Sequence, residues 1–480
     1  MREVAARLRA VPYLRAHVLL SVLFLVSRLV VDLAGLRFNF ALDWMFLADP
    51  ADLRDHLLRT LYYAHAFPPG MNLITGLVLK LGDGAAVAVA HGLFQAFGLV
   101  LANAMFYLGR AVGLSARVAF VLAAVFILTP AALYFEHLYL YEAPVIALLC
   151  LAAALFHRGL RTQSFWVWLA CFTVCLAIGW IRSMFHLVWL VAIVGLALWC
   201  SPADSRRRVL GAAAGPFALL LVLYLKNRLV FGVFGALTFG PFTFTTVTVR
   251  NLPAEVRQAW MAEGKLSPYA TRNAYAGPRE FLSFFPTSEN PRWPPMMNQL
   301  DRPSLRAPNF NHWFFLEINP RRMADARYYV SQRPREYATT VLANVPEFLS
   351  AITGWHPYRD ARSPHHQHEL VLGGYARAYN RLVHGFPAPV GLQLLLPVVL
   401  GWAVGRMRSE WRSGSGEGRA RAALIAFWLV QIAFVTATGL LLSYGEGERY
   451  RYQVEPFTWM LAALAVSALW SRLRPAAVDR

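Results

Sequence analysis

The first group of residues that could do chemistry is a set of acidic side chains in one loop after the first apolar segment. Four of the eleven aspartates fall within thirteen residues of an otherwise basic chain: Asp43, Asp49, Asp52 and Asp55. Carboxylates beside a membrane are costly unless they are neutralised or used. Asp43 lies nearest to the apolar segment, where a carboxylate can serve as a general base toward a hydroxyl group. A solvated loop position or a helix cap is the alternative for each aspartate.

Two glutamates form a second group of candidates. Glu136 and Glu142 flank a short segment between two apolar runs, and the charge pattern places this segment on the same side of the membrane as Asp43. Two loops could together supply a base and an orienting group, or a base and a ligand of a divalent metal, to one site. Capping of a helix that starts near Ala143 is the alternative for both glutamates. The sequence leaves the use of a metal undecided.

Arginines and one histidine form the third group. Arg182 lies between two apolar runs, and Arg449 and Arg451 precede the last run. The planar guanidinium group matches phosphate oxygens, so these residues are candidates for substrate binding. Anchoring to lipid headgroups is the alternative. His65 could orient a phosphate or hydroxyl group, and a local structural role is its alternative.

Three further patterns have structural explanations. Arg28 and Asp32 stand four residues apart on one helix, and we predict that they neutralise each other. All four cysteines lie in apolar runs and fit small core residues. A histidine tract without partnered cysteines is predicted to be solvated and not to bind zinc; it consists of His365, His366 and His368.

The elements that must position these residues are apolar runs. The chain is 57% hydrophobic with a mean hydropathy of +0.41, and many runs approach the roughly 20 residues that a membrane span needs. We therefore predict an all-α polytopic membrane protein with a bundle of about ten transmembrane helices. The runs are His17–Leu36, Ala85–Leu108, Val118–Phe135, Ala143–Phe156, Phe165–Ile181, Phe185–Cys200, Val209–Leu225, Ala388–Val404, Ala422–Leu442 and Phe457–Trp470.

Charge predicts which side of the membrane each connection faces. The net charge is +19, and the basic residues lie mainly between apolar runs. Positive-inside bias and anionic lipids explain this distribution, so nucleic acid is not expected as a partner. With a cytoplasmic N-terminus, the Arg-rich connections face the cytoplasm only if Pro68–Leu81 does not cross. We therefore predict that this segment lies on the outer surface or re-enters the membrane.

The same assignment of apolar runs and connections to the two sides of the membrane divides the chain into three parts. Residues 1–228 are predicted to form an N-terminal transmembrane module whose first periplasmic loop spans 37–84. Residues 229–387 form a periplasmic loop or cap region, and residues 388–480 contain the C-terminal transmembrane helices. Together these features predict a multi-pass protein of the bacterial inner (plasma) membrane with its site on the periplasmic side.

Two finer predictions concern the cap region and the last connection. In the cap region we expect one helix over Arg321–Ser331, capped near Asn319, and another over Pro334–Ile352 that Pro346 kinks or splits. The Ser-Gly-rich segment Arg406–Arg421 is predicted to be a flexible cytoplasmic linker.

Several short motifs follow one another in a characteristic order. They are Asp43 after the first span, His65-Ala66-Phe67-Pro68-Pro69-Gly70, Leu108-Gly109-Arg110, Tyr141-Glu142, and Glu448-Arg449-Tyr450-Arg451-Tyr452 before the last span. This order resembles the GT-C glycosyltransferases, which include the protein O-mannosyltransferases, the aminoarabinose lipid A transferases and their bacterial relatives. The resemblance covers about the first 230 residues and the last outer loop.

The resemblance implies a sugar donor carried on a polyprenyl phosphate. It also implies that an acidic residue of the first outer loop deprotonates the acceptor, and Asp43 holds that position here. Two positions depart from the family pattern. Relatives with an Asp-Glu pair have glutamate where this chain has Trp44, and the histidine that directly precedes Pro-Pro in some relatives is displaced to His65.

We therefore expect an enzyme that moves one sugar from a polyprenyl-phosphate donor to a hydroxyl of a glycan, lipid or protein on the periplasmic face, by an inverting single displacement. An O-antigen-type polymerase or ligase and a lipid-linked sugar flippase or transporter are the alternatives, and a flippase predicts paired helix breaks and mid-membrane charges. The predicted site consists of Asp43 as base, Glu142 or Glu136 as its assistant, and His65, Arg182, Arg449 and Arg451 for substrate binding.

Overall fold

The structure is a computed structural model that describes residues 13–352, 366–383 and 391–473. The basic start of the chain, most of the C-terminal basic tail and His365 of the histidine tract lie outside these residues. The described part is mostly helical with almost no strand, which confirms the all-α prediction. Its only strands are β1 (Asp301–Arg302) and β2 (Ala307–Pro308), an antiparallel pair in which Asp301 lies opposite Pro308.

The described part of the N-terminal half, from residue 13 onward, contains eleven α-helices, some of them only one or two turns long. They are α1 (Leu14–Leu33), α2 (Pro50–Asp55), α3 (Leu57–Tyr63), α4 (Pro69–Leu79), α5 (Asp83–Ala111), α6 (Ala116–Ile127), α7 (Pro130–Glu136), α8 (Glu142–Thr162), α9 (Phe165–Ile181), α10 (Leu187–Cys200) and α11 (Arg206–Phe231).

Five described helices are long and apolar enough to cross a membrane, which is consistent with a multi-pass membrane protein. They are Leu14–Leu33, Gly84–Ala111, Glu142–Thr162, Ala203–Phe231 and Gly416–Leu442. The count becomes six if α6 and α7 form one span. The helices α9 and α10 have 17 and 14 residues, so each is shorter than the roughly 20 residues of a typical span. The ten spans of the sequence analysis are therefore not shown.

The predicted run Val118–Phe135 is broken and not continuous. The helices α6 and α7 meet at a bend of 58°. The break has a local cause, because Thr129 caps α7 by accepting from the Ala132 amide at 3.3 Å and Pro130 lacks the amide hydrogen that a continuous helix needs. The bend ends α7 at Glu136, so that Glu136 and His137 lie inside the bundle and are both buried.

The short helix α4 occupies the segment that was predicted not to cross. It has 11 residues, or about 16 Å at 1.5 Å per residue, about half of the hydrocarbon thickness. It does not lie on the surface, because Gly70, Met71 and Thr75 are buried. A Cβ atom at Gly70 would lie 2.7 Å from the Trp180 carbonyl oxygen. The segment is therefore packed into the bundle against the end of α9.

The cap region has its own helices and two apolar clusters. One cluster gathers Phe242, Phe281 and Phe314, and the first loop joins it through Phe67. The other includes Tyr329. The α-helices are α12 (Gly240–Thr246), α13 (Ala254–Ala262), α14 (Pro295–Asn298), α15 (Phe314–Gln332), α16 (Pro334–Ala343) and α17 (Val345–Leu349), with 3-10 turns at Val249–Asn251, Pro268–Thr271 and Pro278–Phe284.

Both predicted helices of the cap region are present, but the predicted start of the first one is wrong. Pro346 does split the predicted second helix, which ends at Ala343 and resumes at Val345. The first helix begins at Phe314, before the predicted cap at Asn319, and Pro320 lies inside it. The apolar residues Phe314 and Phe315 explain the difference, because both are buried in the cap core and hold the first turn in place.

The C-terminal part contains α18 (His366–Val383), α19 (Leu396–Arg412), α20 (Gly416–Leu442), α21 (Gly447–Tyr452) and α22 (Glu455–Leu473). The predicted flexible linker Arg406–Arg421 is wrong, because helices fill it except for Ser413–Ser415. Glu410 explains this order: it pairs with Arg406 at 2.5 Å and with Arg421 at 3.0 Å, across the turn.

Candidate functional site

A buried carboxylate at the first turn of α8 is the centre of the candidate site. Glu142 has no exposed surface, and the positive end of the helix dipole favours its charge. Arg449 donates to its Oε1 atom from Nε at 3.1 Å and from Nη2 at 2.7 Å. Arg182 lies 3.6 Å from the same oxygen. Three residues that the sequence analysis singled out separately therefore meet at one point.

Arg182 is held by aromatic rings and not by hydrogen bonds. It follows the last turn of α9, and its guanidinium group lies 4.0 Å from the ring centre of Tyr141 and 4.8 Å from that of Tyr450. Only 7% of its side chain is exposed. None of its side-chain N–H groups makes a hydrogen bond to the described residues. A cation with unused donors, held rigidly by two rings, is suited to bind an anion.

Arg449 donates hydrogen bonds to several side chains of the site. In addition to Glu142, it donates to Glu446 at 3.0 Å and to the Tyr141 hydroxyl at 3.1 Å. The second oxygen of Glu142, Oε2, has no hydrogen-bond partner in the described part of the chain. Arg449 thus fixes the position of Glu142 and Tyr141, while one carboxylate oxygen is left for another group.

The first loop and the cap region both reach this cluster. The Phe46 ring lies 4.8 Å from the Tyr141 ring. Burial raises the pKa of Tyr275, and the nearby charge of Glu446 adds to the increase. Burial likewise raises the pKa of Tyr141 to about 12, although Arg182 and Arg449 oppose this shift. The tyrosines are therefore neutral hydrogen-bonding groups at neutral pH.

Asp43 lies on the first loop, three residues before Phe46, and its side chain is exposed. The loop is held by Arg302 of the cap region, which donates to the backbone carbonyl groups of Asp43 at 2.5 Å and Trp44 at 2.9 Å. The Asp43 carboxylate itself makes no hydrogen bond to the described residues. The backbone is thus fixed while the carboxylate is left available.

Asp49 has the structural role that was the alternative for the acidic loop. It is buried and caps α2 by accepting from the Ala51 amide at 2.9 Å. It also accepts from the amide and hydroxyl of Ser304 at 2.8 and 2.6 Å. Asp49 therefore joins the first loop to the cap region.

Glu136 belongs to a different ion pair. Arg28 donates to both of its carboxylate oxygens at 2.6 Å, and both residues are buried. The predicted neutralisation of Arg28 by Asp32 is therefore wrong. In the interior of the bundle Arg28 contacts both carboxylate oxygens of Glu136 and not Asp32. The Asp32 carboxylate lies 3.4 Å from Nε2 of His137 instead.

Arg451 and His65 are also occupied by protein groups. Arg451 lies two residues after Arg449 on α21, pairs with Glu455 at 2.7 Å and donates to the Ser350 carbonyl at 2.6 Å. His65 is fully buried, with Nδ1 2.8 Å from the Thr238 hydroxyl and Nε2 3.1 Å from the Asn311 carbonyl. Burial lowers the pKa of His65 to about 3, so its ring is neutral.

Several residues of the site were missed by sequence reasoning. Tyr275 is a single aromatic residue in a chain that is 14% aromatic, so nothing marked it. Tyr450 was named only as part of the motif before the last span, without a role of its own. Arg302 stood in the long polar stretch among many other arginines. Tyr141 carried a weak signal, because it directly precedes Glu142 at a helix start.

Comparison with protein families, with characterised proteins and with solved structures gives no match for this chain.

Proposed function

We propose that this protein is a membrane transferase that moves a sugar from a polyprenyl-phosphate donor to a hydroxyl acceptor, with its site on the outer side of the membrane. The observation that carries the proposal is the guanidinium group of Arg182, which lies between two tyrosine rings beside Glu142 and makes no hydrogen bond to the described residues. Such a group is suited to bind a phosphate through its N–H donors. The cluster lies at the ends of apolar helices, where a lipid-borne donor arrives through the membrane.

The proposed reaction is a single displacement. The acceptor oxygen attacks the anomeric carbon while its proton passes to the Asp43 carboxylate. The bond between the anomeric carbon and the donor phosphate oxygen breaks, and its electron pair stays on the phosphate. Arg182 stabilises the charge that develops on this leaving group. Attack from the opposite face inverts the anomeric centre.

Each other predicted residue has a part that fits its contacts. Arg449 positions Glu142 and Tyr141, and Oε2 of Glu142 is left to accept a hydrogen bond from the sugar. In this proposal Glu136, Arg451 and His65 hold the surrounding structure, because each already contacts a protein group. The Nε atom of Arg451 has no hydrogen-bond partner in the described part of the chain.

The proposal is tested with the purified full-length chain in lipid nanodiscs. Synthetic polyprenyl-phosphate sugars are supplied one at a time with a cell-envelope extract as the source of acceptors. We expect mass spectrometry to show free polyprenyl phosphate and a glycosylated product with inverted configuration. The matching nucleotide sugars, without the lipid, should give no product. Transfer from a nucleotide sugar alone, or movement of intact donor across liposomes without transfer, would overturn the proposal.

A further inference from the structure

Three side chains from separate helices meet outside the Arg182–Glu142 cluster. Asp32 lies near the end of α1, His91 lies on α5, and His137 follows the last residue of α7. Each offers one ligand atom, a carboxylate oxygen or a ring nitrogen, and these atoms all lie within 4.8 Å of one another. We propose that Asp32, His91 and His137 form a binding site for a divalent first-row transition metal such as Zn²⁺.

The environment of His137 supplies the first argument. Its Nδ1 atom lies 2.7 Å from the Leu133 carbonyl oxygen. A carbonyl oxygen only accepts, so Nδ1 carries the hydrogen, and in a neutral ring Nε2 then carries a lone pair. Nε2 lies 3.4 Å from Oδ1 of Asp32. Two acceptors therefore face each other, an arrangement that a cation between them turns from repulsive to attractive.

The position of His91 supplies the second argument. A proton on Nε2 of His137 would also give Asp32 a hydrogen-bond donor. Such a pair would not explain why a second imidazole lies beside it. The His91 ring lies 5.5 Å from the His137 ring. It stacks on Phe38 at 4.9 Å, and its Nε2 lies 2.9 Å from the side-chain nitrogen of Gln95. An amide nitrogen only donates, so metal binding requires the Gln95 amide to turn its oxygen toward His91, which then donates from Nε2 and keeps the Nδ1 lone pair for the ion. Contacts that fix the orientation of a ring in this way are typical of metal-binding histidines.

The distances and the ligand types fit a transition metal. Zinc bonds of about 2.0–2.1 Å in a tetrahedral site place neighbouring ligand atoms about 3.3 Å apart, which matches the 3.4 Å between Asp32 and His137. Small rotations of Asp32 and His91, which are only half-buried, bring the third ligand atom to the same spacing. Two imidazoles and one carboxylate suit zinc or iron better than magnesium or calcium.

The fourth position of the site is open to another ligand. Three protein ligands leave one tetrahedral position for water or a substrate oxygen. His137 is fully buried, whereas Asp32 and His91 are partly exposed. The site is therefore open on the side of Asp32 and His91.

The test measures zinc binding directly, without any assay of transfer. All proteins are prepared without an affinity tag, in a background in which the histidine tract is replaced by alanine, and are stripped with a chelator. We expect the parent protein to bind one Zn²⁺ per chain after dialysis, as measured by mass spectrometry of the metal. Co²⁺ in its place should give the visible absorption bands of a site with nitrogen ligands. The tract consists of His365, His366 and His368.

Variants decide which residues bind the ion. His137→Ala and Asp32→Asn should each weaken Zn²⁺ binding by at least about 100-fold, because direct ligands matter more than the outer contacts that cost 10- to 100-fold. His157→Ala is the matched control, since it removes another buried histidine and should leave binding unchanged. If His137→Ala fails to fold, His91→Gln at the half-buried position provides the same test.

Two results would overturn the proposal. The first is a parent protein that binds no Zn²⁺ and no Co²⁺, which would leave a direct contact between His137 and Asp32 without an ion. The second is full binding by folded His137→Ala or His91→Gln protein, which would place the ion elsewhere.

Discussion

At the residue scale, buried ion pairs decide what each charged side chain is free to do. Arg449 donates hydrogen bonds to Glu142, Glu446 and Tyr141. Among the carboxylates of the described residues, Arg182 pairs only with Glu142, at 3.6 Å. Removing one partner of a buried pair leaves the other charge uncompensated in a medium that solvates it poorly. The two arginines of one site should therefore respond differently to substitution.

We predict that Arg449→Ala lowers the free energy of unfolding by about 3–5 kcal/mol, the usual cost of breaking a buried pair. Arg182→Gln should leave the melting temperature nearly unchanged but weaken use of the lipid-phosphate donor by about 10- to 100-fold, the loss of one charge-assisted contact. Arg182→Lys should restore only part of it, because the planar fork is lost. Thermal melts in detergent and donor-dependent rates check both effects.

The matched control for Arg182 is Arg279→Gln, which removes an exposed arginine that pairs with Asp301. It should change neither the melting temperature nor the rate. Donor use by Arg182→Gln protein at the parent rate would show that Arg182 does not bind the phosphate.

The exposed carboxylate of Asp43 leads to a second prediction. Asp43→Asn should reduce the transfer rate by about 100- to 10,000-fold, because a positioned base is lost, and should leave stability unchanged. Asp55→Asn, at another exposed position of the same loop, is the control and should retain activity. Asp49→Asn should instead destabilise the fold, since Asp49 caps α2 and binds Ser304. An active Asp43→Asn protein would place the base elsewhere.

A carboxyl pair beside the site makes stability depend on pH. Burial raises the pKa of Glu448 from 4.5 to about 7, and the nearby charge of Glu347 adds to the increase. The folded state therefore keeps a proton that the unfolded chain releases near pH 4.5. The contribution of Glu448 to the free energy of unfolding is fully present below that pH and is lost as the pH rises toward 7.

We predict that the melting temperature of the parent protein decreases between pH 5 and pH 8, and that Glu448→Gln removes much of this decrease. The glutamine variant should melt a few degrees higher than the parent protein at pH 8. Glu255→Gln at an exposed position is the control and should follow the parent curve. Equal pH dependence in the parent and in Glu448→Gln would contradict the prediction.

The individual site residues could be predicted from the sequence, but their contact could not. Glu142, Arg182 and Arg449 are conspicuous because they are charges at the ends of apolar runs. Glu142 and Arg449 are 307 positions apart, and no local pattern encodes a contact at that separation. The partner of Arg28 was predicted wrongly for the same reason: the near residue Asp32 is visible in the sequence, whereas Glu136 reaches it only through the bend between α6 and α7.

At the element scale, the positions of the long apolar helices could be predicted better than the places where helices break. Apolar runs gave the positions of α1, α5, α8 and α20 because hydrophobicity persists along them. The break after Ile127 depends on Thr129 and Pro130, whose effects are local. The order of Arg406–Arg421 depends on ion pairs of Glu410 across a turn, which composition does not reveal.

The packing of α4 against α9 depends on one glycine. A Cβ atom at Gly70 would lie 2.7 Å from the Trp180 carbonyl oxygen, and a backbone atom cannot move aside cheaply. We predict that Gly70→Ala lowers the free energy of unfolding by about 1–3 kcal/mol through overpacking. Gly195→Ala is the control, because no atom lies within 4 Å of its added Cβ, and a thermal melt should show no loss. Equal stability of both variants would show that α4 can shift away from α9.

At the scale of the whole molecule, the site is assembled from parts that lie far apart in the chain. The start of α8, the end of α9 and the helix α21 meet at Glu142, Arg182 and Arg449. This meeting requires that α8 and α9 run in opposite directions, as the count of sequence runs predicted. From the charge pattern we predict that this end of the bundle faces outward, and a labelling experiment can test that prediction.

Single cysteines at four exposed positions, in a background without the four native cysteines, report the side of the membrane directly. We predict that cysteine at Asp55 or Glu289 reacts with an impermeant reagent in intact cells, whereas cysteine at Thr162 or Ser413 reacts only after lysis. The physical reason is the excess of arginine in the connections that contain Thr162 and Ser413, since basic loops are retained in the cytoplasm. Labelling of Thr162 from outside would reverse the orientation and place Asp43 and Arg182 in the cytoplasm, where a nucleotide sugar and not a lipid-linked donor would be the expected substrate.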